Sequence, residues 1–319
     1  MLSFQDLPDE LILQILSYSE TKDLIICGQV SKRIRNISHD GSLWMTANLE
    51  KKIVKAELLE IILSKGCKIL NLSNSTIVGG LTSNMRSELR VLDISQSATI
   101  EKWHTRRANC KENTDFLDEL VFSCYSLQHL AMENLWLTPK MAVSIRKNGK
   151  TLQVLNLNGS FANDASYLLE IIKSCQELKE VGLAYFEHVD INFSEMFSHE
   201  DLAFLAKQIS PNVEKLDLSG IGIIDDHVEI ILQRCKKIKA LSLESSFITD
   251  ISMMNIRRYL NLTLEELSLG NNFDISFTGF LKLKSMPRLK ILNLYDRKED
   301  EIQNLRLHLP HLMIKLSSE

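Results

Sequence analysis

The 319-residue sequence has no surplus of positive charge: 37 Lys and Arg stand against 41 Asp and Glu, a net charge of -4. A protein that grips a nucleic-acid backbone gathers bases on one face, so no nucleic-acid partner is expected. Long apolar runs are missing too. The stretch Leu58 to Leu63 is broken by Glu60 and falls far short of the roughly 20 residues a bilayer span needs, so no membrane contact is expected. The opening residues Met1-Leu2-Ser3-Phe4-Gln5-Asp6 lack the basic start, apolar middle and small-residue cleavage site of a secretory signal. The expectation is a chain of nucleus and cytoplasm whose cysteines, Cys27, Cys67, Cys110, Cys124, Cys175 and Cys235, are reduced thiols.

Constellations for catalysis are equally scarce. Asp225 and Asp226 are adjacent, so on a strand or helix they point apart rather than at one substrate atom. With His227 they suit the start of a helix, where acids meet the positive end of the dipole. His308 and His311 stand around Pro310 without the further ligands a zinc ion requires. Gly220 and Gly222 lack the following glycine and lysine of a phosphate loop. No catalytic residue, metal ligand or cofactor is assigned, which disfavours an enzyme in its own right.

What the sequence does contain is one pattern, L-x-x-L-x-L, repeated from about residue 66 onward. Its copies centre on Leu70, Leu92, Leu130, Leu155, Val181, Leu216, Leu241, Leu267 and Leu292, with a shortened tenth at Ile314. Most centres lie 22 to 26 residues apart, the length of a leucine-rich repeat, and two intervals extend to 38 and 35. Alternation within each copy predicts a short strand with one buried face. Between copies the pattern turns helical, as in Ala165 to Ser174 with its stripe of Leu168, Leu169, Ile171 and Ile172. Strand and helix in alternation predict an α/β solenoid: a leucine-rich-repeat arc with a parallel concave sheet and convex helices, over residues 50–319. Cys124, Cys175 and Cys235 each fall six residues before a central residue. Equivalent places in successive repeats form a ladder, which suits buried core thiols and not a converging metal site. The 38-residue interval holds a basic segment with Trp103, within residues 101–113, suited to a partner contact, an import patch or a solvated loop.

In such strands the leucines point inward and the residues between them face the concave side. That surface takes in Asn156, Asp217 and Asn293 from the strands, with Tyr185, Glu244, Ser245, Asn271 and Tyr295 beside them. It is polar, small and net acidic, with Lys215 among few bases. A phosphate reader needs clustered Arg or Lys, which this face lacks.

Residues 2–49 carry no repeat and read as three short helices. Pro8 suits a first turn with Asp9 and Glu10 at its positive end. Leu7, Pro8, Leu11, Ile12, Ile15, Leu16 and Val30 supply more apolar surface than so short a segment can enclose. Thr21 is placed to cap the second helix. Val30 to Ser38 reads as the third helix, and Asp40-Gly41 breaks it before Trp44.

Leu7-Pro8-Asp9-Glu10-Leu11, Ile15-Leu16-Ser17-Tyr18, Asp23-Leu24, Val30-Ser31-Lys32-Arg33 and Leu43-Trp44 resemble an F-box in order and spacing. With the repeats behind it, the chain is similar to the F-box/leucine-rich-repeat receptors of SCF ubiquitin ligases. The resemblance implies that the apolar face named above docks on the adaptor, and through it a cullin, while the repeats hold a protein substrate. In relatives that substrate is a phosphorylated cell-cycle inhibitor, and a cyclin-dependent kinase regulatory subunit carries the phosphate pocket. The relatives place an aromatic at Tyr185, whereas Ser245 and Asn271 stand where they carry an acid and an arginine. The alternative is a non-ligase interaction scaffold whose N-terminal helices cap the first repeat.

Overall fold

The computed structural model describes residues 6–80, 86–100, 115–188, 197–295 and 297–316. The basic segment at 101–113 lies outside them. The chain forms two compact units, one ending at His129 and one beginning at Leu130.

The first unit opens with three helices, α1 (Asp9–Leu16), α2 (Thr21–Cys27) and α3 (Lys32–Ser38). Pro8 precedes α1, whose first turn holds Asp9 and Glu10. Thr21 is the first residue inside α2 and caps nothing; Glu20 precedes it. Ser31 caps α3 by accepting from the Ile34 amide, so Val30 lies outside that helix. Arg33 ties α3 back to the start of α1, donating to Asp9 at 2.8 Å and to the Leu7 carbonyl at 2.6 Å. Trp44 is buried and donates from its indole to the Ser38 carbonyl at 2.7 Å.

A parallel ladder follows, of Thr46–Asn48, Ile69–Asn71 and Val91–Asp93. Its first strand falls at the end of the segment read from sequence as the F-box. Ala47 holds the buried central place opposite Leu70, and an alanine there breaks the leucine signature. A second parallel ladder, of Ile53–Lys55, Thr76–Val78 and Ala98–Ile100, adds extended segments that the repeat pattern does not single out. Thr, Ile and Val favour extended backbone there.

In the second unit Val154–Asn156, Glu180–Gly182, Lys215–Asp217, Ala240–Ser242, Glu266–Ser268, Ile291–Asn293 and Met313–Lys315 pair in parallel, in sequence order and in register. Each central residue from Leu155 to Ile314 is buried. Helices such as Ala165–Ser174 and Asp225–Arg234 return the chain between strands and bury one stripe each. Fully burying each leucine or isoleucine stabilises the fold by about 1.5–3 kcal/mol.

The turns after the strands from Thr46–Asn48 to Glu266–Ser268 are built alike. Four residues past the central one the backbone is left-handed at Lys51, Asn74, Gln96, Asn134, Gly159, Tyr185, Gly220, Ser245 and Asn271, with φ between 51° and 70°. One residue further on, Ser75, Ser97 and Ser160 donate to the carbonyls of Leu49, Leu72 and Met132 at 2.5, 2.7 and 2.5 Å. Asn272 does the same toward Leu243 at 2.8 Å. This polar spine satisfies carbonyls that the three-residue strands leave over.

Helix starts are linked as well. Asp225 accepts from the Thr249 and Ser252 amides at 3.0 Å each, and Asp250 accepts from the Ser276 amide at 2.8 Å. Each acid thus serves the entrance of the following helix rather than a substrate.

Candidate functional site

The N-terminal helices divide their apolar residues between two faces. Leu11, Ile15 and Val30 are 44%, 46% and 74% exposed, whereas Ile12 and Leu16 are 0% and 4% exposed. Ile12 and Leu16 therefore belong to the internal core with Leu24, Ile37 and Trp44. This corrects the expectation that they sit on the outward face, because the four-residue spacing puts the pairs 11/15 and 12/16 on different sides of α1. Pro8 is exposed and Leu7 half-buried. Tyr18 and Ile26, which the sequence pattern did not single out, are also exposed.

In the second unit the open face of the sheet encloses a cavity of about 480 Å³. Asn156, Asp217, Glu244, Asn293 and Tyr295 line it, joined by Glu180 and Glu266. Asn156 and Asp217 each spend one oxygen on ending their strand, accepting from the Asn158 and Ser219 amides at 3.0 Å. Asn293 donates to Glu266 at 3.0 Å and to Ser268 at 2.7 Å. Its own side-chain carbonyl oxygen is buried and has no donor among the described residues.

Two tyrosines stand at one end of this face, each over a glycine. A Cβ on Gly220 would overlap the Tyr185 ring, and one on Gly270 would overlap the Tyr295 ring. The Tyr295 hydroxyl donates to Glu244 at 2.5 Å, and the Tyr185 hydroxyl lies 3.2 Å from Ser245 Oγ. Asn271 donates to the same Ser245 oxygen at 3.2 Å. Five of the eight residues expected on this face thus line one cavity, and the other three, Tyr185, Ser245 and Asn271, are joined to one another by hydrogen bonds. The contribution of Gly220 and Gly270 was missed, since a glycine in one repeat makes room for an aromatic from another only once strands are aligned.

The wall is short of counter-charge. Lys215 pairs with Glu180 at 3.0 Å, but among the described residues no base pairs with Asp217, Glu244 or Glu266. Burial pushes the Glu244 carboxyl above its usual range, the negative Asp217 adds to this, and the bond from Tyr295 opposes it. Burial, with the bond to Glu244 next, also holds the Tyr295 phenol above its ordinary value.

Cys124, Cys175 and Cys235 are buried in alternate repeats, and burial pushes their thiols up to about 11, 12 and 11. Among the described residues no group of three His, Cys, Asp or Glu could hold a metal ion.

Three small helices with an outward apolar face, followed by strand-and-helix repeats, define an F-box protein of the leucine-rich-repeat kind. Family comparison matches residues 4–50 to the F-box-like family and residues 57–318 to the SKP2 LRR domain. The chain belongs to the F-box/leucine-rich-repeat family whose repeats are of the S-phase kinase-associated protein 2 type. Proteins of this class are non-catalytic substrate receptors of SCF-type ubiquitin ligases. Among solved structures, a chain of the Rad7 and Elc1 complex in yeast has the same fold. It is 14% identical, with a TM-score of 0.51, over 96% of this chain and 92% of that one. An internalin, inlF, from Listeria monocytogenes is 15% identical with a TM-score of 0.44, over 97% and 88% of the two chains.

Proposed function

We propose that this chain is the substrate-recognition subunit of an SCF-type ubiquitin ligase and has no catalytic residue of its own. The observation that carries the reading is the outward strip of Leu11, Ile15 and Val30, with Tyr18 and Ile26, on a bundle that already owns a closed core. Large apolar side chains left exposed together on so small a bundle mark a protein interface. It docks on the Skp1-type adaptor and so reaches the cullin, while the repeats hold the target. Ubiquitin transfer then gains from proximity: a target lysine kept beside a charged thioester reacts at raised effective concentration. The target class is a phosphorylated cell-cycle inhibitor, met in nucleus and cytoplasm. Because the open face offers few bases, a separate cyclin-dependent kinase regulatory subunit supplies the phosphate pocket.

The test is capture of the purified chain by the adaptor, with Leu11→Asp and Ile15→Asp beside the wild type. Both variants keep a cooperative unfolding transition and lose capture. A folded wild-type chain that ignores the adaptor sinks the reading. Variants that unfold the repeats instead favour a scaffold with a helical cap.

A further inference from the structure

We propose that the open face of the second unit receives a segment of a partner protein bearing a lysine or arginine, whose cation is held by Asp217 and Glu244 beside the phenols of Tyr185 and Tyr295. The inference rests on the reading that the repeats hold a target, and it names the chemistry of the part they hold.

Charge complementarity comes first. Of the side chains lining the cavity, Glu180, Asp217, Glu244 and Glu266 are acidic, against Lys215 and Lys315. Lys215 is already spent on Glu180. Asp217, Glu244 and Glu266 each give one oxygen to a neutral donor, namely Ser219, Tyr295 and Asn293. Among the described residues, none gives that acid's second oxygen a partner. The unpaired Asn293 carbonyl adds a further acceptor to the same wall. A surface made of acceptors calls for a ligand made of donors. Ammonium and guanidinium groups are donor-only, whereas an acidic or phosphorylated segment meets repulsion here.

Position comes second. Tyr185 keeps a left-handed backbone at φ 52°, a conformation that a bulky side chain seldom adopts and that surrounding structure must hold. Its ring and that of Tyr295 are fixed over glycines, so they present rigid faces for the methylene stem and cation of a long basic side chain. Glu244 is half-buried and already partly stripped of water, so an incoming cation gains more there than at an exposed acid. Burial raising its carboxyl agrees with this.

The experiment uses the full chain and short fluorescent peptides of one neutral background carrying lysine, arginine, glutamate or no charge, read by anisotropy. Lysine and arginine peptides bind; the other two do not. Asp217→Asn with Glu244→Gln weakens binding about tenfold, the loss of roughly one exposed-to-partly-buried ion pair. Neutralising Glu299, Asp300 and Glu301 removes more charge elsewhere and leaves binding unchanged. Equal binding of the glutamate peptide, or an equal loss in that second variant, overturns the proposal. Should the first variant not fold, a photoreactive lysine peptide on the wild-type chain decides. Adducts at Gly182, Asp217, Ser242 or Tyr295 support the proposal, and adducts confined to helices sink it. Adaptor capture measured on the same samples separates the two readings: its loss with peptide binding intact counts against the receptor, and the converse counts against this site.

Discussion

Tyr185 and Gly220 hold the same place in consecutive repeats, four residues past Val181 and Leu216, and the tyrosine ring lies where a Cβ on the glycine would stand. Both backbones are left-handed, at φ 52° and 70°. One residue accepts an awkward conformation with a large side chain, and its neighbour accepts it by having none.

Gly220→Ala is accordingly expected to destabilise the chain by about 1–3 kcal/mol, combining left-handed strain with displacement of the ring. In a Tyr185→Ala background the cost shrinks toward the strain alone, because the two changes share one contact. Urea unfolding of the four chains measures this. Equal costs in both backgrounds mean that ring and glycine do not interact.

Asn272 is buried, donates to the carbonyls of Leu243, Leu269 and Gly270, and accepts from the Ser246 amide at 3.1 Å. Replacing it by leucine, of similar size, strands these backbone groups. The expected loss is about 2–4 kcal/mol in denaturant unfolding. A loss below about 1 kcal/mol shows the polar spine to be dispensable.

His227 is buried against the His199 ring, 4.7 Å between centroids, and its Nε2 has no partner among the described residues. Burial first, and then the neighbouring imidazole, hold its pKa below the ordinary value. The unfolded chain therefore takes up a proton that the folded chain refuses. Stability is unaffected above the ordinary histidine value of about 6.5 and falls as the pH drops below it. Thermal midpoints from about pH 7.5 to pH 5 check this, with His227→Gln expected to flatten the slope. An unchanged slope assigns acid sensitivity to other groups.

Burial pushes Cys67, Cys124 and Cys235 up to about 11 and Cys175 up to about 12. Near pH 7.5 the thiolate fraction at these sites is below about one part in a thousand. Mass spectrometry of native chain treated with iodoacetamide is expected to find Cys27, which is half-exposed, modified before these four. Rapid labelling of any of them in the folded chain contradicts the buried ladder.

The periodic part of the fold is legible residue by residue because a strand in a stacked repeat answers to a local rule. Leu70, Leu92, Leu155 and Leu216 each sit buried at the centre of a three-residue strand, and alternation with a spacing of 22 to 26 residues is enough to find them. Ala47 obeys the same rule and escapes notice, since a small residue carries no hydrophobic signal. The ladder of Thr76–Val78 and Ala98–Ile100 escapes it too, its pairing being between segments whose own pattern is short.

Sequence by itself determined the repeats, the helical N-terminal segment and the acidic cast of the open face, all of which depend on side-chain type at a fixed spacing. Only the tertiary structure decided that Ile12 and Leu16 turn inward while Leu11 and Ile15 turn out, since α1 is apolar on more than one side and its neighbours choose the buried one. Likewise only alignment of distant strands brings Tyr295 to Glu244, 51 positions away, at 2.5 Å. Periodicity is written along the chain, but which side chains meet across it depends on a register that only the packed strands set.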